Sequence, residues 1–272
     1  MHGSRSGGLA LYTLREEMAR DARGTLAAVA DLGYGYLEAA GYEPAADGGA
    51  GTFYGMAPAA FAALLDASGL APMSTHMGAA TRENADRLAA DARAAGFAYF
   101  VLPVPPMGAF RVDEATGVMS MGKPVAQVAA DVNAIAARVR AAGLRCLYHN
   151  HDFEFRRGPG GVVPIEYLLA HSDPETLGFE VDLFWAIRAG ADPVDYFSRY
   201  PGRWPAWHLK DMDGEGRFAP VGTGAIDFGG IAAARARAGL ELAFVEQDET
   251  YGGMTPLGAA AAGLEGLRAL SL

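Results

Sequence analysis

Leu144-Arg145-Cys146-Leu147-Tyr148-His149-Asn150-His151-Asp152-Phe153-Glu154-Phe155 begins as a short apolar strand and runs straight into ionisable side chains. Neighbouring side chains on a strand point to opposite faces, so His149 and His151 share a face, and at the strand's C-terminal end they bring two imidazoles to one place. An isolated pair of this kind can equally be hydrogen-bonded histidines in a core or a turn. What decides between the two is how the other strands end.

Upstream, Phe97-Ala98-Tyr99-Phe100-Val101-Leu102-Pro103 is apolar throughout, the pattern of a parallel strand covered on both faces. Before it come Ala71-Pro72-Met73-Ser74-Thr75-His76, Tyr34-Gly35-Tyr36-Leu37-Glu38 and Gly8-Leu9-Ala10-Leu11-Tyr12. Downstream lie Leu177-Gly178-Phe179-Glu180-Val181-Asp182, the run Trp204 to Asp211, and Glu241-Leu242-Ala243-Phe244-Val245-Glu246. Helical patterns separate them, with Pro58 placed for a first turn and Gly33, Gly69, Gly96 and Gly143 closing segments. Eight strands alternating with eight helices in 272 residues predict a (β/α)8 TIM barrel, read as one domain over residues 1–272. A doubly wound open sheet is the alternative, but no Gly-x-Gly-x-x-Gly follows the first strand. The Gly-rich stretch 41–55 reads as a surface loop. The longer stretch 105–122, with Met107, Phe110, Met119 and Met121, reads as a lid or substrate wall, or equally as a packed excursion.

The composition, 51% hydrophobic, allows a large core, and a net charge of -10 opposes a phosphate-tracking surface, so no nucleic-acid partner is expected. One cysteine, Cys146, rules out a disulfide framework or a thiolate cluster, leaving histidine and carboxylate as the metal ligands on offer. The first eight residues carry a positive charge without a long apolar run behind it, so no signal peptide is expected. No stretch has the length and apolarity of a membrane span, and the expected location is cytoplasmic.

Glu38, His76, His149 with His151, Asp182, His208 with Lys210, and Glu246 all fall at C-terminal strand ends, the face on which barrel active sites lie. A barrel core otherwise favours Val, Ile and Leu, and burying so many ionisable groups without a counter-ion is costly. His149, Asp182, His208 and Glu246, one from each of strands five to eight, are the expected ligands of a divalent ion such as Mn2+, Co2+, Mg2+ or Zn2+. Taken singly, Asp182 could cap the next segment, His208 could be a satisfied core histidine, and Glu246 could pair with Lys210.

These residues resemble the xylose-isomerase-like barrels, specifically sugar phosphate isomerases/epimerases and inosose dehydratase relatives. The resemblance is carried by Leu11-Tyr12-Thr13-Leu14-Arg15, by the stretch Tyr148 to Phe155, and by Glu180-Val181-Asp182-Leu183-Phe184-Trp185 with Gly190, Asp192 and Pro193. Trp207-His208-Leu209-Lys210-Asp211, the stretch Val221 to Phe228, and Phe244-Val245-Glu246-Gln247-Asp248 complete it. It implies a metal held by Glu, Asp, His and Glu, of which Asp182, His208 and Glu246 match. Where such epimerases carry the first Glu, this chain has His149, and where many relatives place a His three residues after the Asp, it has Trp185.

The chemistry such a site supports is enolisation: a chelated carbonyl is polarised and a neighbouring C–H acidified. Proton return elsewhere gives isomerisation or epimerisation; loss of a β-oxygen gives dehydration or elimination. His151 and Glu246 are the candidate bases and Lys210 the stabiliser of negative charge, unless a salt bridge to Asp211 or Glu246 is its whole role. Tyr12, Glu38, His76, Glu154 and Trp185 are the expected substrate contacts, with core packing the plainer account of Trp185 and Trp207. The expected partner is a small sugar or cyclitol, with a homodimer allowed by the aromatic-rich loops. Hydrolysis, as in barrels resembling endonuclease IV, and sugar binding without turnover are the competing classes.

Overall fold

The computed structural model describes residues 7–270 and 272, so the N-terminal stretch Met1 to Ser6, read above as lacking a leader, lies outside the described residues. Eight parallel strands close into a barrel: β1 (Gly8–Ala10), β2 (Tyr36–Ala39), β3 (Ala71–His76), β4 (Tyr99–Leu102), β5 (Arg145–His149), β6 (Leu177–Asp182), β7 (Ala206–Leu209) and β8 (Leu242–Val245). Each pairs with its neighbours in sequence and β8 closes on β1, as the (β/α)8 reading expects. All four residues of β4 are buried, since one face fills the barrel and the other is covered by helices.

The helices α1 (Arg15–Leu32), α2 (Pro58–Ser68), α3 (Ala85–Ala94), α4 (Val125–Ala141), α5 (Pro164–His171), α6 (Leu183–Arg188), α7 (Pro193–Arg199), α8 (Phe228–Ala232), α9 (Arg235–Ala238) and α10 (Pro256–Ala269) wrap this sheet. Proline opens α2, α5, α7 and α10, where its missing N–H would have no helical partner. Gly33 and Gly69 close α1 and α2 in the left-handed conformation that side chains disfavour. Two expectations shift. The last strand but one is followed by two short helices, α8 and α9, where eight strands alternating with eight helices called for one, and each long excursion carries a two-stranded ribbon: Tyr42–Glu43 with Thr52–Phe53, and Phe110–Val112 with Met119–Met121. The first ribbon is no simple surface loop, because Phe53 is fully buried, stacked on Phe61 and tilted against Phe97.

Two apolar regions result. The larger lies between strands and helices and includes Trp204, Trp207, Phe179 and Phe197, so Trp207 is core, as its plainer reading held. The smaller fills the barrel itself with Ala10, Tyr99, Val101, Leu147, Ala206, Leu242 and Phe244. Above that plug, toward the strands' C-terminal ends, the inward side chains turn ionisable. Among the described residues no helix is long and apolar enough to cross a membrane.

Candidate metal centre

Strand alternation builds the site directly. Inward-facing Leu147 is followed two residues on by His149, Gly178 by Glu180 and then Asp182, Ala206 by His208, and Phe244 by Glu246. Barrel register then sets neighbours: Glu180 lies beside His149, and Asp182 beside His208. From the opposite wall β2 contributes Glu38 and β3 contributes His76. Asn150 steadies the β6 end, its Oδ1 accepting from the Asp182 N–H at 3.1 Å and its Nδ2 donating to the Asp182 carbonyl at 3.3 Å.

His208, fully buried, stands in the middle and faces two ways. Its Nδ1 lies 2.6 Å from Glu246 Oε2, while its Nε2 lies 2.7 Å from Glu38 Oε1 and 3.3 Å from Glu180 Oε2. On one side Asp182, His208 and Glu246 each offer a ligand atom within 4.8 Å of the others. On the other side His76, His149, Glu180 and His208 do the same. The expected four therefore divide. Asp182, His208 and Glu246 come together, whereas His149 leans to the second group: its Nδ1 is 3.1 Å from Glu180 Oε2 and its Nε2 3.8 Å from Asp182 Oδ2.

The donor set suits a divalent ion. It is all imidazole and carboxylate, the soft-ligand Cys146 being buried in the strand with its thiol pushed up by burial. Glu180 Oε1 is buried with no hydrogen-bond partner among the described residues, whereas Asp182 Oδ2 is met by the Lys210 ammonium at 2.9 Å. A buried carboxylate oxygen left without a partner is costly unless a cation meets it.

Electrostatics follow from the crowding. Burial pushes His208 down, yet Glu180, Glu246 and Glu38 outweigh it and hold its pKa well above the usual imidazole value. His76 is likewise opposed by burial and raised to about 10 by Glu38 and Glu180. His149 goes the other way: burial dominates and holds it neutral. Burial would raise Glu246, but Lys210 and His208 keep it ionised, while Asp182 is raised by burial against the pull of Lys210. Binding a divalent ion in either group must therefore displace protons from the imidazoles.

Lys210 Nζ sits among three carboxylates, 2.9 Å from Asp182 Oδ2, 2.8 Å from Glu246 Oε2 and 2.9 Å from Asp248 Oδ1. Of the two salt bridges weighed for Lys210, the one to Glu246 forms and, among the described residues, the one to Asp211 does not. Asp211 instead accepts from the backbone N–H groups of Met212, Gly222, Gly224 and Ile226, shaping the loop beyond β7. Trp185 leaves the core to wall the site, its ring 5.8 Å from Lys210 Nζ and 5.8 Å from the His151 ring. Asp182 caps α6, the plainer part foreseen for it, its Oδ1 accepting from the Trp185 N–H, while Oδ2 lies 2.9 Å from Lys210 Nζ. His151, lowered by burial and by Lys210 to about 3, is a neutral imidazole whose Nδ1 has no partner among the described residues.

Two expected substrate contacts sit elsewhere. Tyr12 is exposed on the turn after β1, its ring beneath the Arg15 guanidinium, and no described contact joins it to the ionisable cluster. Glu154 is fully buried but turned away: a tight turn over Phe153–Phe155 folds it back so that its oxygens accept from Tyr148 Oη at 2.8 Å and the His151 N–H at 2.9 Å. Glu180 and Asp248 are the members sequence reasoning passed over. Glu180 was detectable, since a Glu two residues before Asp182 on one strand must share its face. Asp248 lies beyond the strand, where periodicity carries no information.

A crystal structure of a sugar phosphate isomerase/epimerase from Parabacteroides distasonis superposes with a TM-score of 0.80 at 26% identity, covering 98% of this chain and 94% of that one. A structure of the IOLI protein with a bound zinc atom shares the fold at a TM-score of 0.69 and 13% identity, over 97% of this chain and 96% of that one. An inosose dehydratase of Lacticaseibacillus casei is 27% identical over 86 residues, 32% of this chain and 28% of that enzyme's length. The family model for the xylose isomerase-like TIM barrel matches residues 26–270, and the chain belongs to that family.

Proposed function

We propose that this chain is a divalent-metal-dependent enzyme that enolises a keto sugar or related polyol, as a sugar isomerase or epimerase. The observation that carries the reading is the convergence of Asp182, His208 and Glu246 ligand atoms within 4.8 Å at the barrel mouth, beside a buried lysine. Asp182, His208 and Glu246 would hold the ion, with His149 reaching toward it through Asp182. A bound ion supplies Lewis-acid polarisation of a chelated carbonyl and its adjacent hydroxyl.

The remaining work falls to side chains. Glu246, kept ionised by Lys210 and His208, is the base that takes the C–H proton, with the neutral His151 imidazole the second candidate. Lys210 keeps its proton among three carboxylates and so acts by charge, stabilising oxygen that becomes negative. His76 and Glu38, paired at 3.0 Å from the neighbouring strands β3 and β2, orient substrate hydroxyls, and Trp185 offers an apolar wall.

A second reading, lyase or dehydratase action on an inosose or 3-keto-glycoside, is favoured by one feature. The two bases assigned above are a carboxylate, Glu246, and an imidazole, His151, not two carboxylates trading a proton across the substrate, and an unlike pair suits elimination. Metal analysis of the purified protein followed by solvent-proton exchange of candidate ketoses in D2O tests the enolisation shared by both readings. Exchange is expected to fall about 10²–10⁴-fold in Glu246→Gln and in His208→Ala with folding retained. Exchange that survives both changes removes the assigned site from the reaction.

A further inference from the structure

Next to the metal-facing cluster, the turn after β1 and the loop after β8 enclose a cavity of about 430 Å³. That volume lies in the range of small-molecule clefts, roughly 300–1,000 Å³. Thr13, Glu17, Gln247, Asp248 and Glu249 are among its walls. It adjoins the reacting centre through Asp248, which lines the cavity and also holds Lys210 at 2.9 Å.

Its polar atoms are poorly matched by the protein. Gln247 is only 4% exposed; its backbone N–H donates to Thr13 Oγ1 and its Nε2 to the Glu249 carbonyl, both at 3.0 Å. That second bond fixes the amide's orientation, because a flipped amide would set two oxygens against each other. The oxygen left over, Gln247 Oε1, is buried without a partner among the described residues, as is Glu17 Oε2 on the facing helix. Buried acceptors in this condition ask for hydrogen-bond donors.

Charge narrows the donor's identity. Four carboxylates line it, Glu17 paired with Arg20 at 3.3 Å, Asp248 with Lys210 at 2.9 Å, and Glu16 and Glu249, together with one guanidinium, Arg15, which already donates to the Tyr12 carbonyl and lies over the Tyr12 ring. A phosphate here would meet like charge. An ammonium would find the two inner carboxylates, Glu17 and Asp248, already paired with Arg20 and Lys210, with Arg15 beside them. A hydroxyl, which donates to Gln247 and Glu17 and accepts from Arg15 or Thr13, satisfies all of them.

We infer that this cavity is a second subsite for an uncharged, hydroxyl-rich ring, so that the substrate is a neutral glycoside and not a phosphorylated sugar. The inference rests on the sugar-enolising reading above. Titration calorimetry on the metal-loaded protein tests it with cellobiose, glucose, glucose 6-phosphate and glucosamine as probes. Cellobiose is expected to bind about tenfold more tightly than glucose, and neither glucose 6-phosphate nor glucosamine more tightly than glucose. Gln247→Leu should weaken cellobiose roughly 3–10-fold, the loss of one buried hydrogen bond, while leaving glucose unchanged. In the double variant Glu16→Lys/Glu17→Lys, glucose 6-phosphate should gain affinity over wild type; near-ultraviolet circular dichroism checks that both variants fold.

Tighter binding of glucose 6-phosphate or glucosamine than of glucose by the wild type overturns the inference, as does a Gln247→Leu effect equal on both neutral sugars. If the cellobiose preference is absent while free ketoses still exchange protons in D2O, the subsite falls and the enolisation reading stands. A cellobiose preference without exchange on any ketose keeps the subsite and removes the chemistry; no sugar binding at all removes both.

Discussion

The lower and upper halves of the barrel interior are lined by the same strands yet follow opposite rules. Below, Ala10, Tyr99, Val101, Leu147, Ala206, Leu242 and Phe244 form an apolar plug. Two residues further along, Glu38, His149, Glu180, His208 and Glu246 crowd into a space where each is at most 3% exposed. The plug is what a sequence selected for stability alone would extend to the top. The ionisable layer above it buries charge that only paired partners or a cation offset, and it sits at the end where loops admit a ligand. Stability and function thus occupy successive layers of one sheet.

The largest expected effect that separates the layers comes from the plug. Phe244→Ala removes a fully buried ring that meets Tyr36 edge-on and should cost about 3–5 kcal/mol in chemical denaturation, while the metal content of the folded protein stays at the wild-type level. Loss of metal in step with stability would show that the layers are not separable.

A second experiment sharpens the comparison by asking whether height in the barrel alone makes a functional group. Glu154 lies just past β5 but takes its contacts from Tyr148 on the helix-facing side, and burial raises its pKa from the usual 4.5 to about 8. A carboxyl whose folded pKa is raised stabilises the fold fully below its unfolded pKa, and that contribution is lost as pH rises through the folded value. Wild-type stability should therefore decline between about pH 4.5 and about pH 8, and Glu154→Gln should flatten that portion of the profile. An unchanged profile would mean that the Glu154 carboxyl is not protonated at mid-range pH.

The smallest effect is expected at the barrel's base. There Glu241 accepts from Tyr99 Oη and pairs with Arg145, both at 2.5 Å, but the ion pair is about half exposed. Water screens such a pair, so Glu241→Gln should change unfolding free energy by no more than about 1 kcal/mol. A loss of several kcal/mol would make the base as tightly coupled as the mouth.

Much of this was legible from the residues. Period-two alternation within short strands, each followed by a helical pattern, called for the barrel and put Glu38, His76, His149, Asp182, His208 and Glu246 at one rim. The same rule, applied once more, would have added Glu180. It failed for Glu154, because the turn at Phe153–Phe155 reverses which side the chain presents, and for Tyr12, because β1 ends at Ala10 and leaves the turn outside. The cavity lay beyond such reasoning altogether, since its walls come from opposite ends of the chain, with Thr13 and Gln247 meeting across 234 residues.

The sequence by itself determined which side chains face the barrel axis and at which end, because strand geometry is local and repeats every two residues. Only the tertiary structure decided how those side chains divide. Closure of β8 on β1 and the register between β5, β6 and β7 set the distances by which His208 turns one nitrogen to Glu246 and the other to Glu38, and by which His149 joins Glu180. Ligand grouping depends on ångström-scale separations between residues far apart in the chain, and no local pattern encodes those.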